Sequence, residues 1–168
     1  PVTRQIRAER SGMVKHTFSK ILLLSEGSDV GMAASRAAIA LAADEEAELI
    51  IMAVVDTHTL KQLLTNRIFV EEEMEQYEKD IESSSRKQVD YVGQLATKAG
   101  VDYRSEVVTG ACHTAVLEEQ VETGADLLVM GGYEATMIKG DLMARENQLI
   151  LDEITCPVLL VPPAMASE

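Results

Sequence analysis

The stretch that decides the fold is Leu49-Ile50-Ile51-Met52-Ala53-Val54-Val55. It is apolar without interruption, and an acidic residue stands at each end, Glu48 and Asp56. A strand with one face in water alternates apolar and polar residues, whereas a strand that is buried on both faces is apolar throughout. The stretch therefore predicts a strand inside a parallel sheet that is covered on both sides.

Similar short runs lie on both sides of this stretch in the sequence. Continuous apolar runs occupy 21–24, 127–130 and 158–161, and a weaker run occupies 101–108. Helical periodicity fills the intervals at about 30–48, 69–99, 112–123 and 141–154. Ser28 is the expected N-cap of the first helix, and Gly124 is the expected stop of the third.

The order of these predicted elements is β-α-β-α-β-α-β-α-β. Strict alternation of this kind, with right-handed crossovers, predicts an α/β fold with a single doubly wound domain. Five parallel strands would form the sheet, with helices on both of its faces. Ligands in such folds bind at the carboxyl ends of the strands, where the loops 25–29, 55–58 and 131–140 would meet.

Charge narrows the range of functions. The 168-residue chain has a formal net charge of −13. Its first 20 residues hold five basic residues and one acidic residue, a net of +4, so the remainder carries −17. An acidic body repels polyphosphate, so we expect no nucleic-acid partner. No apolar run approaches the roughly 20 residues that span a membrane, and electrostatic membrane binding is disfavoured.

The segment from Lys20 to Pro162 resembles the universal stress protein family. Ile21 to Ser28 is similar to the opening strand of that family and its Asp-Gly-Ser loop. Residues 110–131 are similar to its third helix and fourth strand, and Cys156 to Val161 to its closing strand. The resemblance implies the strand order 3-2-1-4-5. We expect a flexible basic arm at 1–17, the universal stress protein domain at 18–163 and a short tail at 164–168.

The resemblance also implies a nucleotide site for ATP or AMP. The family pattern is a Gly, two residues, a second Gly, nine residues, and then Gly-Ser or Gly-Thr. Glycines let the backbone approach phosphate, and backbone amides hold its charge. In this chain Gly131 matches the first position, Glu134 replaces the second Gly, and Ala144-Arg145 replaces the final pair. A carboxylate at 134 would oppose phosphate, whereas Arg145 could bind it in a bidentate manner.

Other residues of the implied site lie in the loops that follow the strands. Glu26 stands in place of the family's Asp, and its carboxylate is one methylene longer. Val55 and Met130 are the expected apolar walls of an adenine-sized slot. The predicted cofactor-binding set is Glu26, Gly27, Val55, Met130, Gly131, Gly132, Glu134, Ala144 and Arg145.

Two functional hypotheses follow, and a third is weaker. The first is a non-catalytic universal stress protein that acts as a stress-response or signalling module with weak or absent ATP binding. The alternative is a member that binds ATP or AMP through an altered phosphate loop. An ATPase ranks last, because no base, nucleophile or set of Mg²⁺ ligands is evident. No catalytic residue and no metal site is predicted, since Cys112-His113 lacks a recognised ligand spacing.

The last predicted strand, Val158 to Val161, would leave an unpaired edge. The resemblance implies that Val158, Leu159, Leu160 and Val161 form a homodimer interface by antiparallel pairing with a second copy. The basic arm is the expected contact for a protein partner. Cys112 and Cys156 lie far apart in the sequence and suggest no disulfide framework, so we expect a reducing, cytoplasmic location.

Overall fold

The structure is a computed structural model that describes residues 16–58, 61, 65, 71–132 and 138–162. Strands and helices alternate along this part of the chain. Their bounds are β1 (Lys20–Leu24), α1 (Asp29–Glu45), β2 (Glu48–Asp56), α2 (Glu71–Lys98), β3 (Tyr103–Gly110), α3 (Cys112–Thr123), β4 (Leu127–Gly131), α4 (Ile138–Glu153) and β5 (Val158–Val161).

The five strands form one parallel sheet in the order β3-β2-β1-β4-β5. The predicted fold class and strand order are therefore confirmed. In the centre of the sheet, Leu22 of β1 lies opposite Ile50 of β2 and Leu128 of β4. The strand order reverses between β1 and β4, which makes this point the topological switch of the sheet.

Burial on both faces explains the uninterrupted apolar strands. Ile21 and Leu23 pack with residues of α1 and α2 on one face. Leu22 and Leu24 pack with residues of α3 and α4 on the other. Because successive side chains of a strand point to opposite faces, each strand position must be apolar when both faces are covered.

Most helix bounds agree with the sequence prediction, and the differences have local causes. Helix α3 covers the predicted residues and ends at Gly124, which has the left-handed conformation. Helix α1 ends at Glu45 rather than near Glu48, because Glu46 is left-handed (φ 53°) and its backbone N–H donates to the Ala42 carbonyl. Helix α4 begins at Ile138, three residues before the predicted start at residue 141.

The remaining global features concern the termini, the cysteines and membranes. Nearly all of the predicted arm (1–15) and the tail (164–168) lie outside the described residues. Cys112 and Cys156 are free thiols. Among the residues that the structure describes, no helix is both long and apolar enough to cross a membrane.

Candidate functional site

The candidate site is a crevice at the carboxyl edge of the sheet, between the loop after β1 and the end of β4. Ser25 remains attached to the sheet, since its N–H donates to the Met52 carbonyl at 2.7 Å. Gly131 lies against the first turn of α1, where a Cβ atom on Gly131 would be 2.8 Å from Cγ1 of Val30. The fold therefore brings the predicted residues Glu26, Gly27, Gly131 and Gly132 to the switch point.

The carboxylate of Glu26 is held on its own loop. Its Oε1 accepts hydrogen bonds from the Ser28 backbone N–H at 2.9 Å and from the Ser28 hydroxyl. The same hydroxyl oxygen accepts the Gly31 N–H at 3.1 Å, which confirms Ser28 as the N-cap of α1. A helix N-terminus normally attracts anions. At the start of α1, the Glu26 carboxylate already lies where a bound anion would be attracted.

Gly31 makes this arrangement possible. A Cβ atom at Gly31 would overlap the Glu26 carbonyl and would lie 2.6 Å from Oε1 of Glu26. Only a residue without a side chain allows the loop to fold so closely over the helix start. Our sequence interpretation missed Gly31, although a glycine in the first turn of an Ala-rich helix was the available signal.

The two glycines after β4 have their polar groups engaged inside the protein. Asn147 of α4, which is buried, donates from Nδ2 to the Gly131 carbonyl at 3.1 Å. The Gly132 N–H donates to the Val161 carbonyl at 2.8 Å, which continues the pairing of β4 with β5. The Gly132 amide therefore serves the sheet rather than pointing free into the crevice. Asn147 was another residue that the sequence interpretation missed.

Val55 and Met130 do not face each other across one slot. Met130 is fully buried and packs with Leu22 and Met52 against α3 and α4. Val55, also buried, lines a cavity of about 170 Å³ together with Glu75 and other residues of α2. The two side chains therefore lie on opposite faces of the sheet, and their role beside an adenine ring stays a prediction.

The later part of the predicted phosphate loop is described only in part. Glu134 lies outside the described residues. Ala144 and Arg145 lie in α4, where Ala144 is half-buried and Arg145 is exposed. Arg145 is therefore accessible to an anion in solution.

A second cavity adjoins the first loop on the side of α2. It has a volume of about 380 Å³, and Ser25, Gly27 and Gln88 are among its lining residues. The Ser25 side chain is buried, and its hydroxyl has no hydrogen-bond partner within the described part of the chain. Gln88 donates from Nε2 to the Glu26 carbonyl at 3.4 Å.

The N-terminus of α3 is covered by two carboxylates. Asp56 accepts the Cys112 N–H at 3.3 Å. Glu146 accepts the His113 N–H at 2.9 Å, and its Oε2 is 2.7 Å from His113 Nδ1. Burial, followed by the charges of Asp56 and Glu146, raises the pKa of Cys112 to about 12. The thiol therefore stays protonated at neutral pH and is a poor nucleophile.

His113 thus lies at the start of α3, and Asp56 at the end of β2 accepts a hydrogen bond from the first turn of this helix. Among the described residues, no group of three or more His, Cys, Asp or Glu side chains could hold a metal ion.

Comparisons with known proteins agree with this architecture. The sequence profile of the universal stress protein family matches residues 17–162. Universal stress protein YxiE of Bacillus subtilis is 27% identical over 150 residues, which cover 86% of this chain and 99% of that protein.

Two solved structures share the fold. A universal stress protein in complex with cAMP has a TM-score of 0.61 and 23% identity, with 86% of this chain and 97% of that one covered. The universal stress protein from Archaeoglobus fulgidus in complex with dAMP has a TM-score of 0.57 and 11% identity, with 88% and 99% covered.

Proposed function

Because the chain belongs to the universal stress protein family, we propose that it acts as a non-catalytic stress-response or signalling module in which binding of ATP is weak or absent. The observation that carries this proposal is the carboxylate of Glu26 on the first turn of α1. The family's Asp at this position carries the same charge, so the difference lies in the reach of the longer Glu26 side chain. Its carboxylate lies at the start of α1, where the backbone amides of a helix N-terminus would otherwise hold phosphate.

The backbone on the other side of the crevice supports the same conclusion. The Gly132 N–H and the Gly131 carbonyl are both engaged within the protein, with Val161 and Asn147. Phosphate loops hold their ligand with free backbone amides. Replacement of the later glycines of the pattern by Glu134 and Ala144 removes further positions at which the backbone could approach phosphate.

A lack of catalysis is supported by the thiol of Cys112. Within the Cys112-His113 pair, the Cys112 thiol is the group that could act as a nucleophile. Its raised pKa keeps it protonated at neutral pH. We further propose a cytoplasmic location, which two free thiols fit. We propose a domain at 18–163, in keeping with the family match to 17–162.

The alternative function is binding of an adenine nucleotide through the altered loop. Related structures hold cAMP and dAMP, which carry one phosphate each. A monophosphate needs fewer phosphate contacts than ATP, so Arg145 could supply the charge on the exposed side of α4. This candidate predicts AMP binding in preference to ATP.

Calorimetric titration and thermal unfolding with ATP, ADP, AMP and cAMP, with and without Mg²⁺, separate the two candidates. A ligand at a hundred times its Kd stabilises a protein by about 2.7 kcal/mol. The first proposal expects no measurable heat or shift with ATP. Restored ATP binding in the triple variant Glu134→Gly, Ala144→Gly and Arg145→Ser would support it, and tight ATP binding by the natural sequence would overturn it.

The matched pair of variants for the alternative is Arg145→Ala and Arg86→Ala. Both arginines are exposed and helical, but Arg86 pairs with Glu82 on α2. AMP binding that is lost only in Arg145→Ala would favour the alternative. Gly131→Val is a poor probe, because a side chain at Gly131 would collide with Val30 and would disturb packing directly.

We also propose a homodimer that forms through the edge strand β5. Its Leu159 and Leu160 side chains are 40% and 44% exposed, which is unusual for leucines at the end of a sheet. Val158 and Val161 instead pack towards the two cores. Pairing of β5 with a second copy would cover both leucines and the open backbone edge.

A further inference from the structure

Another cavity lies at the opposite end of the molecule from the crevice. It is a groove of about 660 Å³ at the amino edge of the sheet, where β2 and β3 begin. The C-terminal ends of α1 and α2 form its walls. We refer to this cavity as the amino-edge groove, and it lies outside the family's nucleotide crevice at the carboxyl edge.

The amino-edge groove is negatively charged. Glu46, Glu48 and Asp102 line it, and no lysine or arginine is among its lining residues. Arg104 lies 3.7 Å from Glu48 but also pairs with Glu119. In the described part of the chain, the exposed residues Glu46 and Asp102 have no ion pair.

The end of α1 adds to this negative potential. The last turn of α1 contains no basic residue. The C-terminus of a helix carries a partial negative charge and favours cations, yet Asp44, Glu45 and Glu46 stand there. The end of α1 therefore favours a positive charge, and the basic residue nearest to the groove on its other wall is Lys98 in the last turn of α2.

The first residues that the structure describes lie beside this groove, and the segment that precedes them in the sequence is basic. The N–H groups of Thr17 and Phe18 donate to Glu45 Oε2 at 2.7 and 3.2 Å, so the backbone crosses the end of α1. Ser19 then lines the groove, and its carbonyl accepts the Glu48 N–H. Residues 1–15 continue from this rim. They contain Arg4, Arg7, Arg10, Lys15 and one acid, Glu9, a net charge of +3.

We propose that residues 1–15 bind in the amino-edge groove, with their arginines facing Glu46, Glu48 and Asp102. Because Ser19 lines the groove, a short stretch of residues 1–15 is enough to span it, whereas only a nearly extended segment of about 50 Å would reach the start of α2. The acidic face of α2 is the competing surface. Its acids, such as Glu72 and Glu75, lie in the first turns of α2, near the carboxyl edge and at the far end from residue 16.

The contact has an electrostatic signature. Charges at an exposed surface are screened over about 10 Å in 0.1 M salt but over about 3 Å in 1 M salt. Binding of the basic segment should therefore weaken as salt increases. Binding should also require the acidic residues of the groove. It should not require other acidic residues of the chain, whose formal net charge is −13.

Limited trypsin digestion of the full chain tests the proposal, because trypsin cuts after Arg4, Arg7 and Arg10. The double variant Glu46→Gln and Asp102→Asn should be cut in this segment several-fold faster than the natural sequence at low salt. The control variant Glu72→Gln and Glu75→Gln removes two exposed acids from α2 and should leave the rate unchanged. Both pairs are solvent-exposed, so neither should alter the fold.

Backbone amide chemical shifts provide the second measurement. Replacement of Arg4, Arg7 and Arg10 by Gln should shift the amides of Glu46, Glu48 and Asp102 at low salt and leave them unmoved in 1 M salt. Equal cleavage of the natural and groove variants would overturn the proposal. Faster cleavage of the α2 control variant, or chemical-shift changes confined to residues 16–20, would also overturn it. A cleavage rate that falls as protein concentration rises would overturn it as well, because it would indicate that the segment binds a second copy of the chain.

Discussion

At the scale of single residues, the most informative group is Glu119. It lies in α3 and is only 9% exposed, and Arg104 on the edge strand β3 is 3.4 Å from its carboxylate. Glu106 of the same strand has a buried carboxylate oxygen without a hydrogen-bond partner in the described chain. Burial and then the hydrogen bond and charge of Glu106 raise the pKa of Glu119 to about 7, although Arg104 opposes the shift.

This shift predicts a pH dependence of stability. The ordinary pKa of the side chain is 4.5, and the native pKa is about 7, so the folded protein holds a proton that the unfolded chain releases. The stabilisation is complete below pH 4.5 and is lost as pH rises through 7. At 1.36 kcal/mol per pKa unit, we expect the free energy of unfolding to fall by about 1–2 kcal/mol from this group between pH 5 and 8.

Urea unfolding of the natural protein and of Glu119→Gln across this pH range measures the effect as the difference between the two curves. Glu118→Gln, an exposed neighbour on the same helix, is the control and should preserve the natural slope. Parallel curves for the natural protein and Glu119→Gln would refute the assignment of the proton to this site.

At the scale of secondary-structure elements, the buried side chain of Asn147 joins α4 to the end of β4, because its amide donates to the Gly131 carbonyl. A neighbouring residue, Gln148, is exposed, and its side chain donates to Asp152 of the same helix. The two positions therefore allow a buried and an exposed amide of one helix to be compared.

Asn147→Ala should lower the free energy of unfolding by about 1–3 kcal/mol, because it leaves a buried carbonyl without a partner. Gln148→Ala should change it by no more than about 0.5 kcal/mol, as is usual for surface positions. Denaturant midpoints at constant m-value provide the measurement. Similar losses in both variants would contradict the anchoring role of Asn147.

At the scale of the whole molecule, the edge strand β5 and the amino-edge groove lie apart. Leu159 and Leu160 are exposed on β5, whereas the groove lies at the amino ends of β2 and β3. An edge strand with exposed leucines is a surface for association. A proposed dimer through β5 would leave the amino-edge groove accessible to the basic segment, because β5 and β3 lie at opposite edges of the sheet.

Leu159→Glu should dissociate the proposed dimer, since it would place a charge in the middle of an apolar interface. Val121→Glu is the matched control, because Val121 of α3 is 71% exposed and lies away from β5. Sedimentation velocity at several concentrations compares the two. If Leu159→Glu sediments as the natural dimer does, β5 is not the interface.

The sequence by itself determined the layered architecture. Uninterrupted apolar runs such as 49–55 require burial on both faces, and alternation with helical segments then restricts the sheet to parallel strands. Local signals also located the ends of helices, as Ser28 and Gly124 did, because a cap depends on residues that are close in the chain. Resemblance to a family supplied the strand order, which the structure confirms.

Only the tertiary structure decided which polar groups meet. It placed Val55 and Met130 on opposite faces of the sheet, Asn147 on the Gly131 carbonyl and Glu146 on His113. No spacing in the sequence pointed to the hydrogen bonds of Asn147 and Glu146, and the sequence interpretation expected Val55 and Met130 to line one slot. The physical reason is that apolar burial is non-directional and leaves a periodic trace along the chain, whereas a hydrogen bond depends on the distance and angle between atoms that distant segments bring together.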